Sequence, residues 1–457
     1  MGAGPCPSLM GPVPDKLLFG SVNLVEHTPG VLQSWCNSST RRQVCRGHGK
    51  TTSGSSCRRA VTTADTIDAD TNMPHDNHFR HQQYSDGPPR STYELIAADE
   101  PLDPGCDVFR ERMSDVGDRL REAGIGLVLV VHGTFVGQDA GSVWAEIGRW
   151  APAMRDIITR RNKSWINAVV GDRGNYTDRY VELFESGINR PCEPRIAVER
   201  FDWSGENHHL GRADGAVRLV ERLQDLDPDQ RVLLWGHSHA GNVFASATNL
   251  IAAPSEVRDE FFKAARVAFR SPVHRGVDVP VWQAVWDRLA EQQLPSLGGG
   301  LDIVTFGTPI RYGWDTGGYG KLLHVVHHRP SENRRDYLAS FPPSRAGLLD
   351  AAEGDVVQQV GIAGTNVAPG VFFWRTLLAD RRLNRFLQPG LSSVQLRSRL
   401  TLGMRVPDEG HAVLVDYGPI GGSIVEHHAG HAVYTLPKWL AFHAGLVADR
   451  MYPSACT

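Results

Sequence analysis

The sequence predicts an α/β fold with a mostly parallel central sheet and helices on both of its faces. Three observations carry this. Short aliphatic runs alternate with stretches whose apolar residues recur at spacings of three and four, the pattern of successive β-α-β units. The runs are rich in Val, Ile and Leu with little polar alternation, as strands covered on both faces must be. The 457 residues are 41% hydrophobic and 22% charged, ordinary globular usage with enough apolar material for a large core.

Taken in order along the chain, residues 1–91 stand apart. From Asn37 to Arg90 the sequence is Ser, Thr, Arg, Asp, His and Gln with almost no apolar periodicity, so it cannot bury enough surface to offset the entropy of ordering. It is expected to be a disordered tail. A docking or regulatory arm, and a true start further on at Met73 or Met113, are other readings of the same stretch. Residues 92–457 are expected to form one domain, because no internal repeat is evident and length is only a soft guide to domain number. Strands are expected at Leu127 to Val131, Ile196 to Phe201, Val232 to Trp235, Ile303 to Phe306, Leu322 to Val326 and Ala412 to Val415. Helices are expected at Asp107 to Glu122, Val143 to Arg160, Ala213 to Gln224, Asn242 to Ile251, Val281 to Gln292 and Val433 to Ala448. Between them, 253–300 brings Phe261, Phe262, Trp282 and Trp286 ahead of a Leu-Gly-Gly-Gly-Leu run. Both a mobile lid and a cap helix that simply packs on the sheet fit that composition.

Charge and cysteine content exclude several classes. Lys plus Arg number 48 against 51 for Asp plus Glu, a formal charge of -3, which leaves no overall field to attract a nucleic acid. The apolar runs fall far short of the ~20 residues of a spanning helix, so no integral membrane segment is expected. The start lacks a basic region followed by an apolar one, and Cys6 stands where myristoylation wants Ser or Thr; a cytoplasmic location is the expectation. The seven cysteines are odd in number and contain no Cys-x-x-Cys pair, so free thiols are expected rather than a disulfide scaffold or zinc ribbon.

The most informative stretch is Arg231-Val-Leu-Leu-Trp-Gly-His-Ser-His-Ala-Gly-Asn242. An apolar strand runs into Gly236-His237-Ser238-His239-Ala240-Gly241 and then into a helix, the context that a nucleophile elbow requires. The neighbours of such a serine must be small so that strand and helix can approach; Gly236 and Gly241 satisfy this, while Ala240 replaces the second glycine of Gly-x-Ser-x-Gly. Upstream, a strand ends in His132-Gly133-Thr134-Phe135 before a loop bearing Gly137 and Gly141. Acyl transfer needs two backbone N–H groups facing the oxyanion, one from the residue after the serine and one from the loop after an earlier strand. His239 and Thr134 hold those places.

These segments, together with Phe201-Asp-Trp203-Ser204-Gly205, Val304-Thr-Phe306-Gly307-Thr308-Pro309 and Gly430-His431-Ala-Val-Tyr434, resemble bacterial lipases and esterases of the α/β-hydrolase superfamily, with Phe-Gly-Thr-Pro similar to the class 3 lipases. The resemblance spans about Leu127 to Tyr434. It implies cleavage of a carboxylic ester through a Ser-His-Asp triad and an acyl-enzyme, with no metal or organic cofactor. The implied substrate is a small-molecule or lipid ester, with transient contact to a lipid interface a further expectation. An acyltransferase, thioesterase or amidase would share the first half-reaction, and a catalytically silent binding protein is the reading from another class.

A serine hydroxyl needs an imidazole to take its proton and a carboxylate to orient that imidazole. With Ser238 as nucleophile, the superfamily's chain order of Ser, acid, His puts the base late. His431 is preferred, ahead of His428 and His411. For the acid, Asp355 in Glu-Gly-Asp-Val-Val is preferred over Asp416, which ends the last strand; Asp315 and Asp336 are outsiders. Trp203, His237 and Phe135 are the expected pocket residues, with plain packing the other reading of Trp203. His427 and His431 have the i, i+4 spacing of a metal pair, but the Ala-Gly between them and the lack of a completing ligand argue for no metal.

Overall fold

The computed structural model describes residues 77–84, 87–134, 175–227, 230–270, 277–291, 298–364, 366, 374–422 and 424–453, all within one compact unit, 59–457. Seven strands form its centre: β1 (Thr92–Ala97), β2 (Ile125–Val131), β3 (Ala197–Phe201), β4 (Arg231–His237), β5 (Leu301–Phe306), β6 (Lys321–His327) and β7 (His411–Asp416). They lie in the order β1-β7-β6-β5-β4-β2-β3, and every neighbouring pair is parallel. The expectation of a mostly parallel sheet thus becomes an all-parallel one among the described strands. Six strands fall on the aliphatic runs. The seventh, β1, is an addition: Thr-Tyr-Glu-Leu-Ile-Ala is half-exposed and polar at alternate places, because it is an edge strand paired only with β7, and its pattern lacks the continuous apolar run of a buried strand.

Residues along each central strand alternate between two cores. Leu127, Leu129, Val131, Val232, Leu234 and Ile303 face one, and Val128, Val130, Leu233, Trp235, Val304 and Phe306 face the other, as a strand period of two dictates. The principal helices are α1 (Asp107–Glu122), α2 (Asp178–Ile188), α3 (His209–Gln224), α4 (Ala240–Ala252), α5 (Ser255–Ala265), α6 (Val279–Ala290), α7 (Val356–Ala363), α8 (Trp374–Leu387), α9 (Ser393–Leu402) and α10 (Leu440–Met451). Helices α1, α2 and α10 bury their apolar stripes in the second core, while α3 to α6 and α8 build the first.

Several expectations shift. Helix α3 starts four residues before Ala213, where His208 caps it through Nδ1, accepting the Gly211 N–H at 2.9 Å. The helix expected from Val433 begins at Leu440, and Val433 to Trp439 form tight 3-10 turns. Pro437 is the reason: the residue before a proline is pushed out of the helical region, and Leu436 is extended at φ -78°, ψ 125°. The helix expected at Val143 to Arg160 lies outside the described residues, as does tail segment 1–76. The described part of the tail is packed: Phe79, 1% exposed, stacks on Phe261 at 4.9 Å. A boundary at Thr92 therefore comes too late, because one buried aromatic is enough to anchor a polar segment.

The 253–300 insertion is entered from the foot of α4, which runs back from the carboxyl edge of the sheet, and it leads into the start of β5 at the same amino edge. Phe261, Phe262 and Trp282 are fully buried; Trp282 stacks on Phe261 at 5.6 Å and donates from Nε1 to Asp214 Oδ1 of α3 at 2.8 Å. These contacts pack its described helices, α5 and α6, against α3 and α8. Among the described residues, no helix is long and apolar enough to cross a membrane.

Candidate active site

Strand β4 ends at His237, and Ser238 turns the chain with φ +56°, a left-handed conformation that costs an L-residue about 1–2 kcal/mol. The turn is held tightly. Ser238 N–H donates to Phe306 O at 2.8 Å, and its carbonyl accepts the Gly241 N–H at 3.2 Å and the Thr308 hydroxyl at 2.8 Å. Helix α4 follows at once from Ala240. Strained non-glycine backbone of this kind persists only where its surroundings over-determine it.

The glycines around the turn are there for room. A Cβ on Gly236 would come within 2.3 Å of the Phe244 ring, and one on Gly241 within 2.3 Å of Thr308 Oγ1. Ala240 is an ordinary helical residue, and its methyl would meet a Gly236 Cβ at 3.2 Å; the glycine at 236 is what makes room for the alanine at 240. We expect Gly236→Ala to destabilise the protein by about 1–3 kcal/mol through overpacking, read as a lower urea midpoint at unchanged slope.

The loop after β2 meets the same turn. A Cβ on Gly133 would stand 2.6 Å from Ser238 Cβ and 3.2 Å from its Oγ, so Gly133 lets the loop lie against the serine. Among the described residues, neither the Thr134 N–H nor the His239 N–H donates to a backbone carbonyl, and the buried Thr134 hydroxyl has no partner. Trp203 holds this loop from behind, donating from Nε1 to His132 O at 2.8 Å and stacking on the His132 ring at 5.8 Å. Its packing role, rather than a place in the pocket wall, is what these contacts describe. Phe135 lies outside the described residues.

His431 is reached through a turn in which His428, Ala429 and Gly430 are all left-handed, at φ +48°, +51° and +89°. Its Nδ1 is 2.6 Å from Asp355 Oδ2, and both side chains are wholly buried. Because a carboxylate only accepts, Nδ1 carries the proton and Nε2 is the basic nitrogen. Asp355 is fixed by three further bonds. It caps α7, with Oδ1 accepting the Gln358 N–H at 2.8 Å; its N–H donates to His327 O at the end of β6 at 3.0 Å; Arg405 Nη1 donates to its carbonyl at 2.8 Å; and Arg405 also bonds the Gln358 side chain. Burial works to raise its carboxyl, but His431, the Gln358 N–H and Arg405 outweigh it and hold Asp355 below the ordinary carboxylate value.

His237 stands beneath the base. Its ring centroid is 4.5 Å from that of His431, and Nε2 lies 3.2 Å from His431 O, a contact that requires Nε2 to donate. Fully buried, it ties the base's turn to the strand that carries Ser238 instead of lining a pocket. His239 is also buried, and its pKa is pushed well down by that burial and by the charges of Arg212 and Arg311, so it is a neutral ring.

The rival residues have other partners. Asp416 pairs with Arg329 at 3.2 Å and accepts the Gly418 N–H at 2.8 Å, as a turn carboxylate does. Asp315 caps a 3-10 turn through Gly317, Asp336 accepts from the Tyr93 hydroxyl, His411 faces Thr92 and Glu94 on β1, and His427 Nε2 donates to Leu349 O. No group of three or more His, Cys, Asp or Glu side chains among the described residues is arranged to hold a metal. Arg405 and Gln358 had no signal in the sequence, since only folding brings Arg405 to the carboxylate. Thr308 was visible as part of Phe-Gly-Thr-Pro, but its bond to Ser238 was not.

Comparison of the chain with protein-family models, with curated proteins and with solved structures gives no match in any of the three.

Proposed function

We propose that this chain is a serine hydrolase of the α/β-hydrolase type that cleaves carboxylic esters, with Ser238 as nucleophile, His431 as base and Asp355 as the carboxylate that orients it. The observation that carries the reading is the left-handed Ser238 between β4 and α4, at the same sheet edge as the buried His431–Asp355 pair. In the reaction, His431 Nε2 takes the hydroxyl proton as Ser238 Oγ bonds to the ester carbonyl carbon. The tetrahedral oxyanion is met by the N–H groups of Thr134 and His239. The imidazolium then protonates the departing alcohol, and water, deprotonated by the same nitrogen, releases the acid and restores Ser238. Asp355 stabilises the imidazolium throughout without itself taking a proton. Nucleophile, base and orienting charge all come from side chains, so this sequence of steps calls for no cofactor.

The test is a fluorophosphonate probe together with p-nitrophenyl esters from acetyl to palmitoyl. Labelling at Ser238 and release of p-nitrophenol are the expected results, and the chain-length optimum separates an esterase from a lipase. A protein that neither labels nor hydrolyses any member of the series is a binding protein on this fold.

A further inference from the structure

Beside His239 the carboxyl edge of the sheet buries two guanidiniums that make no ion pair with a carboxylate among the described residues. Arg212 is fully buried and Arg311 is 2% exposed. Arg212 is satisfied entirely by neutral acceptors: the Tyr312 hydroxyl at 2.9 Å, Asn207 Oδ1 at 3.0 Å and Asn366 Oδ1 at 2.7 Å. The nearby acid, Asp380, is taken up by the Leu210 N–H and by Asn366 Nδ2, one residue removed from Arg212. Arg311 donates from Nη2 to Gln388 Oε1 at 2.8 Å, and its Nε and Nη1 are buried with no partner among the described residues. A buried cation is ordinarily paired with an anion, because burial without one leaves its desolvation uncompensated. Burial and the charge of Arg212 together push Arg311 down to about 9. A third guanidinium, Arg399, adds to the same positive field, and the histidines it reaches, His209 and His239, are held neutral by burial and by Arg212 and Arg311.

The position ties this charge to the chemistry. Arg311 lines a small cavity with Asn242, Thr308 and Tyr312. Asn242 Nδ2 is 3.1 Å from His239 Nδ1, and Thr308 bonds the Ser238 carbonyl, so two residues of the cavity wall bond the turn at Ser238. The cavity is about the size of one water molecule, room for a single oxygen of a larger anionic group.

We propose that Arg311, backed by Arg212, is the receptor for an anionic group, a carboxylate or a phosphate, carried by the ester that Ser238 attacks. The inference rests on the hydrolase reading for the word ester, but the anion receptor is testable without it. Calorimetric titration of the full chain with inorganic phosphate, with acetate and with neutral acetamide is expected to show saturable binding of at least one anion and none of acetamide. Preference between the two anions tells a phosphate from a carboxylate source. Arg311→Gln is expected to weaken that binding tenfold or more, with Arg311→Lys intermediate, because an ammonium keeps the charge but not the planar fork. In turnover, Arg311→Gln is expected to lower the ratio of kcat/KM for mono-p-nitrophenyl succinate over p-nitrophenyl butyrate by tenfold or more. Should Arg311→Gln fail to fold, Arg212→Gln is read by the same titration. Absence of saturable anion binding, equal affinity in wild type and variant, or an equal fall for both esters overturns the inference while leaving the hydrolase reading intact. Anion binding through Arg311 without hydrolysis of any ester keeps the receptor and removes the hydrolase reading.

Discussion

Ser238→Ala is expected to lower kcat for ester hydrolysis on the order of 10⁵- to 10⁶-fold, the scale seen when a triad nucleophile is removed, with KM little changed and fluorophosphonate labelling abolished. On the proposed reading, substrate binding survives because the hydroxyl would serve bond formation rather than the pocket wall and the N–H groups of Thr134 and His239 would still meet the carbonyl; such donors alone leave about 10³-fold over water. The variant should fold, since alanine at φ +56° meets the same backbone restriction as serine. Ser238→Gly makes the complementary point. Glycine is free in the left-handed region, so this variant should be as inactive as Ser238→Ala and melt at no lower temperature. A Ser238→Ala protein that retains more than about a hundredth of wild-type kcat on the best ester would remove Ser238 as nucleophile.

The second large effect is at the acid. Asp355→Asn is expected to lower kcat by about 10⁴-fold, because an amide N–H facing His431 Nδ1 selects the wrong tautomer and cannot stabilise the imidazolium. Asp416→Asn, which alters a carboxylate bonded to Arg329 and Gly418, should change kcat less than threefold, within the range of about 0.5 kcal/mol typical of surface substitutions. The two variants side by side distinguish the carboxylates directly. Asp355 also links stability to pH. Its folded pKa lies below its unfolded value, with burial opposed by His431, the Gln358 N–H and Arg405. The contribution is therefore present above the unfolded carboxylate value of about 3.9 and is lost as pH falls through the folded value. Urea midpoints of the wild type should decline along that acid limb, and Asp355→Asn should flatten it.

Much of the local backbone structure was legible in the sequence. Six strands announced themselves as aliphatic runs, because a strand buried on both faces tolerates little else, and the start and end of α1 followed from its periodicity. The turn at Ser238 was readable because strand, small residues and helix succeed one another within a dozen positions. The edge strand β1 was not, since a half-exposed strand needs no apolar run, and neither was Phe79, a single anchor in a polar stretch. Helices α7 to α9 also passed unseen in 328–410, where charged and short apolar segments give no clear period; α9 stands on a capping box at Ser392 and Gln395, not on an apolar stripe.

What the sequence by itself determined is the set of residue types and their order along the chain: a serine on a strand-to-helix turn, a glycine loop upstream, carboxylates and histidines downstream. What only the tertiary structure decided is which of those carboxylates and histidines meet. Asp355 and His431 lie far apart along the chain and are joined at 2.6 Å because β6 and β7 are neighbours in the sheet, while Asp416, much nearer in sequence, is drawn to Arg329. Arg212 and Arg311 likewise look like any two surface arginines until folding buries both beside His239. Local sequence sets backbone preference and turn chemistry, whereas pairing of buried charges depends on which distant strand ends the sheet order makes adjacent.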